Sequence, residues 1–265
     1  MKPAPFAYVR PESLDEALAA LEEAGDEAKV LAGGQSLVPA LNMRLLRPTT
    51  IVDVNRVAGL DGVERRNGSL VVGATVRQAD PRLREDTLLA EVLPHVGHFV
   101  TRNRGTVCGS IAHADAAAEL PLALVAAGGS VVTASTRGRR EIAAGDFFLG
   151  PYTTALAADE LVVETIWPLP VDGDVFAFEE LALRGGDYAL AMAAARARGD
   201  ELAVVVGAVT PAPTRLEVDP ERPGESAAEH VEPWGSVHAS PAYLKQLVRV
   251  LVDRAVARAR AGTAA

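Results

Sequence analysis

The stretch LAGGQSLVP, residues 31–39, decides how this chain is read. Two glycines and two polar side chains, Gly33-Gly34-Gln35-Ser36, separate the apolar pairs Val30-Leu31 and Leu37-Val38. That pattern predicts a short buried strand running into a tight loop. Glycines leave the loop's main-chain N–H groups open to a ligand, and the Gln35 amide and Ser36 hydroxyl add neutral donors. Two nucleotide signatures do not fit. A P-loop needs G-x-x-x-x-G-K-[ST], but Lys29 precedes the loop and the next lysine is Lys245; a Rossmann turn needs a third glycine that does not come. What remains suits a diphosphate held by dipoles, without a cation. An isolated glycine pair more often only turns the chain, so the reading depends on the sequence around it.

Upstream, Ser13 and Glu16 have the capping-box spacing, and Leu14, Ala17, Leu18 and Leu21 recur at helical intervals until Gly25. Residues 28–31 read as a short strand and residues 51–54, behind Pro48, as a second. Together they make a small α/β unit. Downstream the style changes: Asn67-Gly68 marks a hairpin, residues 88–100 read as helix around Pro94, and an apolar helix ends near Ala127. Residues 130–134, 141–142 and 161–167 read as strands, the first two flanking the basic turn RGRR. Pro168, Pro170 and Asp172-Gly173 form a linker. Beyond it FAFEELALR alternates as a strand, residues 189–209 read as a hairpin about Gly199-Asp200, and residues 210–236 as a loop rich in Pro, Gly and Glu. Residues 243–260 close the chain as an amphipathic helix with Leu244, Leu247, Val248, Leu251 and Val252 on one face.

A length of 265 residues accommodates two domains of unequal size, and 49% hydrophobic with 23% charged residues marks an ordinary globular chain. The formal net charge of −9 repels polyphosphate, which argues against nucleic acid as a partner. The N-terminal sequence has no apolar core of signal-peptide length, and no window approaches the ~20 apolar residues of a membrane span, so a cytoplasmic location is expected. Cys108 is the single cysteine. It excludes a disulfide within the chain and an iron–sulfur cluster bound by this chain alone, which needs about four thiolates.

A second segment raises the odds that the first loop binds something. RNRGTVCGSIAHADAAAELP, residues 102–121, gathers Gly105, Thr106, Gly109 and Ser110, then His113, Asp115 and Glu119. Two such loops, each flanked by apolar runs, are able to clamp opposite sides of one extended ligand. His113, Asp115 and Glu119 match no standard metal-ligand spacing, and a lone thiol between Val107 and Gly109 reads as a packing residue rather than a nucleophile. No catalytic or metal-binding residue is assigned.

AGGQSLVPALNMRLLRPTTIVDVN, residues 32–55, together with GTVCGSIAHADAAAELP, residues 105–121, resembles the FAD-binding medium subunit of the molybdenum hydroxylases, the carbon monoxide dehydrogenase and xanthine dehydrogenase group. ELVVETIWP, FEELALRGGDYALA and the terminal YLKQLVRVLVDRAVARA follow in the matching order across nearly the whole chain. The resemblance implies an α+β fold: a two-lobed FAD-binding domain of the vanillyl-alcohol oxidase (PCMH) type over residues 1–170, with lobes of about 1–56 and 57–170, and a small C-terminal α+β domain over residues 174–265.

The resemblance also implies a site. Ala32, Gly33, Gly34, Gln35 and Ser36, flanked by Leu31 and Leu37, would wrap the FAD diphosphate, with Thr106, Gly109 and Ser110 on its other side. Asp115 or Glu119 would bond the adenosine ribose, Leu161 would approach the flavin ring and Tyr188 would border it. By the same resemblance, molybdopterin and two [2Fe–2S] clusters would sit only on partner subunits, a large and a small one, in a heterotrimer or its dimer. This chain would pass electrons through FAD to NAD, a quinone or oxygen.

The family usually carries T-x-G-G-N where this chain has Thr106-Val107-Cys108-Gly109-Ser110. A Cβ at Cys108 would either crowd the loop or require a milder backbone angle there. Two alternatives stand beside the main reading: a self-standing flavin oxidase of the vanillyl-alcohol type, and a non-catalytic interaction subunit with a vacated FAD site.

Overall fold

The structure, a computed structural model, describes residues 2–263; Met1 at one end and Ala264 and Ala265 at the other lie outside the described residues. The first lobe begins with strand β1, Ala7–Val9, and helix α1, Leu14–Ala24. Ser13 Oγ accepts the Glu16 N–H at 3.2 Å, and the Glu16 carboxylate reaches back to the Glu12 N–H at 2.9 Å. This exchange satisfies donors that a helix start leaves unpaired. Ala17, Leu18 and Leu21 bury one face, and Gly25 stops the helix at φ +53°. Strand β2 is Ala28–Leu31, helix α2 is Leu37–Asn42 and strand β3 is Thr50–Asp53; the three strands form a parallel sheet in the order β1-β3-β2. Strand β1 has no signal in the sequence, because its three residues are too few and too exposed to show a periodicity.

The second lobe is a five-stranded antiparallel sheet. Strands β4, Val63–Arg66, and β5, Ser69–Gly73, turn through Asn67 and Gly68, both at positive φ (+51° and +75°), which a tight hairpin of this kind requires. Helices α3 (Thr87–Val92), α4 (Phe99–Arg102), α5 (Val107–His113) and α6 (Glu119–Ala127) follow. The single helical run expected over residues 88–100 is two pieces. Pro94 lacks the N–H that would continue the ladder, and Gly97 turns at φ +50°. Strands β6 (Ser130–Ser135) and β7 (Gly138–Ala143), helix α7 (Ala144–Phe147), the small pair β8 (Phe148–Gly150) and β9 (Thr153–Thr154), and β10 (Leu161–Pro168) complete the lobe, with sheet order β4-β5-β10-β6-β7. Three of the four RGRR residues, expected as a turn, belong to β7.

The chain closes with a sequential antiparallel sheet of β11 (Val175–Ala182), β12 (Ala189–Arg198), β13 (Glu201–Gly207) and β14 (Thr214–Leu216), covered by α9 (Pro241–Thr263), on which α8 (Pro223–Glu229) packs. Strand β12 runs against alanine's helical preference because both of its faces are buried. Ala191, Ala193, Ala195 and Ala197 pack under α9, while Met192 and Ala194 join the core shared with the second lobe. Small side chains let the long helix lie close to the sheet. Helix α6 packs against β12 and β13 and is buried throughout, so its sequence shows no polar face.

The loop expected over residues 210–236 instead contains β14 and α8. Its Pro and Gly have helical roles: Pro223 starts α8, and a Cβ on Gly224 would stand 2.1 Å from Arg249 O of α9. Among the described residues no helix is long and apolar enough to cross a membrane.

Candidate functional site

Strand β2 delivers the chain into the turn at residues 32–36, and α2 carries it away. Gly34 sits at φ +72°, in the region that L side chains avoid. The main-chain N–H groups of Gly33, Gly34, Gln35, Ser36 and Leu37 donate to no protein acceptor among the described residues. The Gln35 side chain, expected as a free donor, instead braces the turn by donating to Gly33 O at 3.1 Å.

The second segment meets this turn directly. A Cβ built on Gly33 would lie 2.5 Å from Arg104 O, 2.7 Å from Gly105 Cα and 2.9 Å from Thr106 N. The two stretches, some seventy positions apart in the chain, therefore touch backbone to backbone across the two lobes. The stretch read as a loop is largely α5, with Thr106 as its cap: Thr106 Oγ1 accepts the Gly109 N–H at 3.0 Å. A Cβ on Gly109 would stand 2.4 Å from that oxygen. Ser110 lies one position further along the helix, its N–H bonded to Thr106 O at 3.2 Å.

Cys108 does not crowd the turn. Its side chain is 2% exposed and points into the core, with Sγ 3.4 Å from Val72 O and 3.7 Å from Thr165 Oγ1. Burial pushes the thiol up to about 12, so it carries no thiolate at neutral pH. Cys108→Gly is expected to leave FAD affinity within about twofold and to cost about 1–2 kcal/mol of stability, through a helical glycine and lost packing. Flavin titration and thermal unfolding check it; a large gain in affinity would restore the crowding argument.

A cation also stands at the junction, against the expectation of a site built from dipoles alone. Arg77 donates to Arg104 O at 2.7 Å and to Asn55 Oδ1 at 2.6 Å, and Asn55 Nδ2 donates to Ala32 O at 2.9 Å. Burial, and next the nearby Arg104, lower the Arg77 pKa. The sequence signals were an Asn two residues past a strand end and an Arg in GATVRQAD, neither informative until the lobes meet.

Beyond α5 the chain turns through Ala114 at φ +51° and presents Asp115. Asp115 accepts the Ala117 N–H at 2.9 Å and the Tyr152 hydroxyl at 3.0 Å, and the His113 and Tyr152 rings lie 5.0 Å apart. The Tyr188 phenol is raised by desolvation first, then by the Asp115 and Glu119 charges, and its hydroxyl is within reach of Ser36 and Asp115. Tyr188 is nonetheless 57% exposed, so its ring edge stays open to a ligand. Ser36, Asp115 and Tyr188 thus converge beside the turn.

Glu119 and Leu161 are placed differently. Glu119 opens α6, is 4% exposed, and is pushed up to about 7 by burial, with the neighbouring Glu180 charge adding to the effect. Leu161 opens β10 opposite Ala134 and is buried in the core.

The geometry defines a class: a two-lobed α+β domain whose seam carries main-chain N–H groups without protein acceptors among the described residues, beside a half-buried guanidinium, an arrangement able to hold an anion. Residues 4–170 match the family described as the FAD binding domain in molybdopterin dehydrogenase. The 6-hydroxypseudooxynicotine dehydrogenase complex subunit alpha of Paenarthrobacter nicotinovorans is 35% identical over 98% of this chain and 96% of its own length. Among solved structures, carbon monoxide dehydrogenase from Hydrogenophaga pseudoflava superposes with a TM-score of 0.93 at 30% identity over 98% of this chain and 99% of that one. Quinoline 2-oxidoreductase from Pseudomonas putida 86 gives 0.92 at 35%, over 99% of both. The chain belongs to the FAD-binding subunits of the molybdopterin dehydrogenases, and it is an FAD-dependent oxidoreductase subunit with the PCMH-type fold.

Proposed function

We propose that this chain is the medium subunit of a molybdenum hydroxylase, accepting electrons from [2Fe–2S] clusters of a small partner subunit and passing them to NAD, a quinone or oxygen. A large subunit would hold the molybdopterin, in a heterotrimer or its dimer in the cytoplasm. The observation that carries this reading is the contact of Gly33 with Arg104, Gly105 and Thr106, beside a row of main-chain N–H groups without acceptors.

In this reading residues 1–170 form the FAD domain and residues 174–265 the C-terminal domain. Ala32 to Ser36, with Leu31 and Leu37, hold the diphosphate from one side. Thr106, Gly109 and Ser110 hold it from the other. Asp115, which is only partly buried, takes the ribose rather than the buried Glu119. Tyr188 borders the flavin ring, and Leu161 backs it from the core. FAD, when bound, supplies the interconversion of single electrons and electron pairs. The chain's own residues bind and orient it, and no side chain here needs to act as an acid or base.

The test is direct. The purified chain is expected to show flavin absorbance, or to take up added FAD at micromolar concentration, and the protein isolated from its source to carry molybdenum and iron on co-purifying subunits. A colourless chain that takes up no FAD would sink the reading. A flavin-loaded chain that turns over a substrate with no partner would favour the self-standing oxidase.

A further inference from the structure

The halves of the cradle belong to different lobes, and at Gly33 they meet without an intervening side chain. Their separation therefore depends on what clamps them. Arg77 is fixed to the second half by its own backbone: Gln78 N donates to Gly105 O at 2.9 Å and Val107 N to Val76 O at 3.1 Å, flanking the bridge between Arg77 and Thr106. Its guanidinium crosses to the first half. Nη1 stays on Arg104 O at 2.7 Å while Nη2 reaches Asn55 Oδ1 at 2.6 Å. Asn55 is in turn held by Asp53 Oδ1, at 2.6 Å from Nδ2 and 3.0 Å from its N–H, and passes the constraint to Ala32 O at 2.9 Å.

The charge is the second observation. Both acceptors of Arg77 are neutral, and among the described residues no carboxylate pairs with it. Asp53 acts on it only through space. The Asp53 carboxylate is engaged elsewhere, by Asn55 and by the Tyr8 hydroxyl. A guanidinium has five N–H donors, so Arg77 keeps donors that these contacts do not use. A half-buried cation without a counter-ion gains from an anion placed beside it. The unpaired N–H groups of residues 33–37 want the same kind of ligand.

We infer that Arg77 is both clamp and charge of the cradle: it sets the distance between the Gly33 turn and the Gly105-Thr106 turn, and gives its unused N–H groups to the cofactor's diphosphate. The inference rests on the flavin reading above. It makes Arg77 a positioning and binding residue with no part in redox chemistry.

The experiment titrates the purified apo-chain with FAD and with ADP, at low and high salt, for the wild type, Arg77→Lys and Arg77→Gln. Arg77→Gln is expected to weaken both ligands by about tenfold to a hundredfold and to flatten the salt dependence of Kd. Arg77→Lys keeps the charge without the two-ended fork. It is expected to fall between the two and to keep the wild-type salt dependence.

Wild-type affinity in Arg77→Gln overturns the inference and leaves the flavin reading standing. Weaker binding with an unchanged salt dependence overturns the charge and leaves only a brace. If Arg77→Gln does not fold, Arg77→Lys decides, because wild-type affinity in that variant overturns the clamp. A wild-type chain that binds neither FAD nor ADP overturns the proposed function, and this inference with it.

Discussion

Gly33→Val is expected to abolish FAD binding, raising Kd by at least about a hundredfold. The Cβ alone would stand 2.5–2.9 Å from three main-chain atoms of Arg104, Gly105 and Thr106, so the lobes must part to admit it. Main chain cannot rotate away as a flexible side chain can. Parting the lobes also stretches the Arg77–Asn55 bridge and misplaces the N–H row. Gly34 is a different case: its Cβ would meet only the Leu31 and Val38 side chains, at 3.2 Å, and the cost lies in its φ of +72°. Gly34→Ala is therefore expected to cost about 1 kcal/mol of stability and far less affinity than Gly33→Val. Flavin titration of the two variants, with circular dichroism to show that both fold, tests the ranking; equal losses would mean that the backbone contact does not set the site.

The second large effect concerns Glu119. Its carboxyl is buried at the start of α6, facing Glu180, His95 and Asp115, and titrates at about 7 instead of the ordinary 4.5. A carboxyl with a raised folded-state pKa is neutral in the fold where the unfolded chain is already ionised. The fold is thus penalised progressively as pH rises from about 4.5 to about 7, and the full penalty of about 3 kcal/mol is present above that. Glu119→Gln is expected to stabilise the protein by up to that amount at pH 8, and to change nothing near pH 4.5.

His95 lies in the same cluster, its pKa raised by its hydrogen bond to Glu180 against the opposing effect of burial. Its stabilisation is present below its unfolded value and lost as pH rises through the higher folded one, the same direction as Glu119. A residual slope therefore survives in the variant. Unfolding midpoints from pH 4.5 to 8 decide the matter: parallel curves for wild type and Glu119→Gln would show that Glu119 does not titrate in this window.

Both predictions depend on contacts between segments remote in sequence, and this divides what was legible from what was not. The capping box at Ser13, the Asn67-Gly68 hairpin, the β12–β13 hairpin and the terminal helix were readable because each is specified by neighbours in the chain. Residues 102–121 do meet the first turn at Gly33, but their glycines, which suggest a loop, lie where Thr106 caps a helix and Gly109 keeps that cap clear. Residues 210–236 failed for a related reason: Pro223 and Gly224 resemble loop composition until α9 is there to pack against.

By itself the sequence determined the strands and helices whose signals are local, the glycine turn at residues 33–34, the exclusion of P-loop and Rossmann chemistry, and, through two long motifs, the family. Tertiary structure alone decided that Gly33 must be glycine, that Cys108 faces the core and leaves the turn free, that Glu119 is buried while Asp115 is only partly so, and that Arg77 brings a cation to the junction of the two turns. The physical reason is the same in each instance. Backbone turns and caps are set within a few residues, whereas burial, charge compensation and the spacing of two lobes exist only once distant segments are brought together.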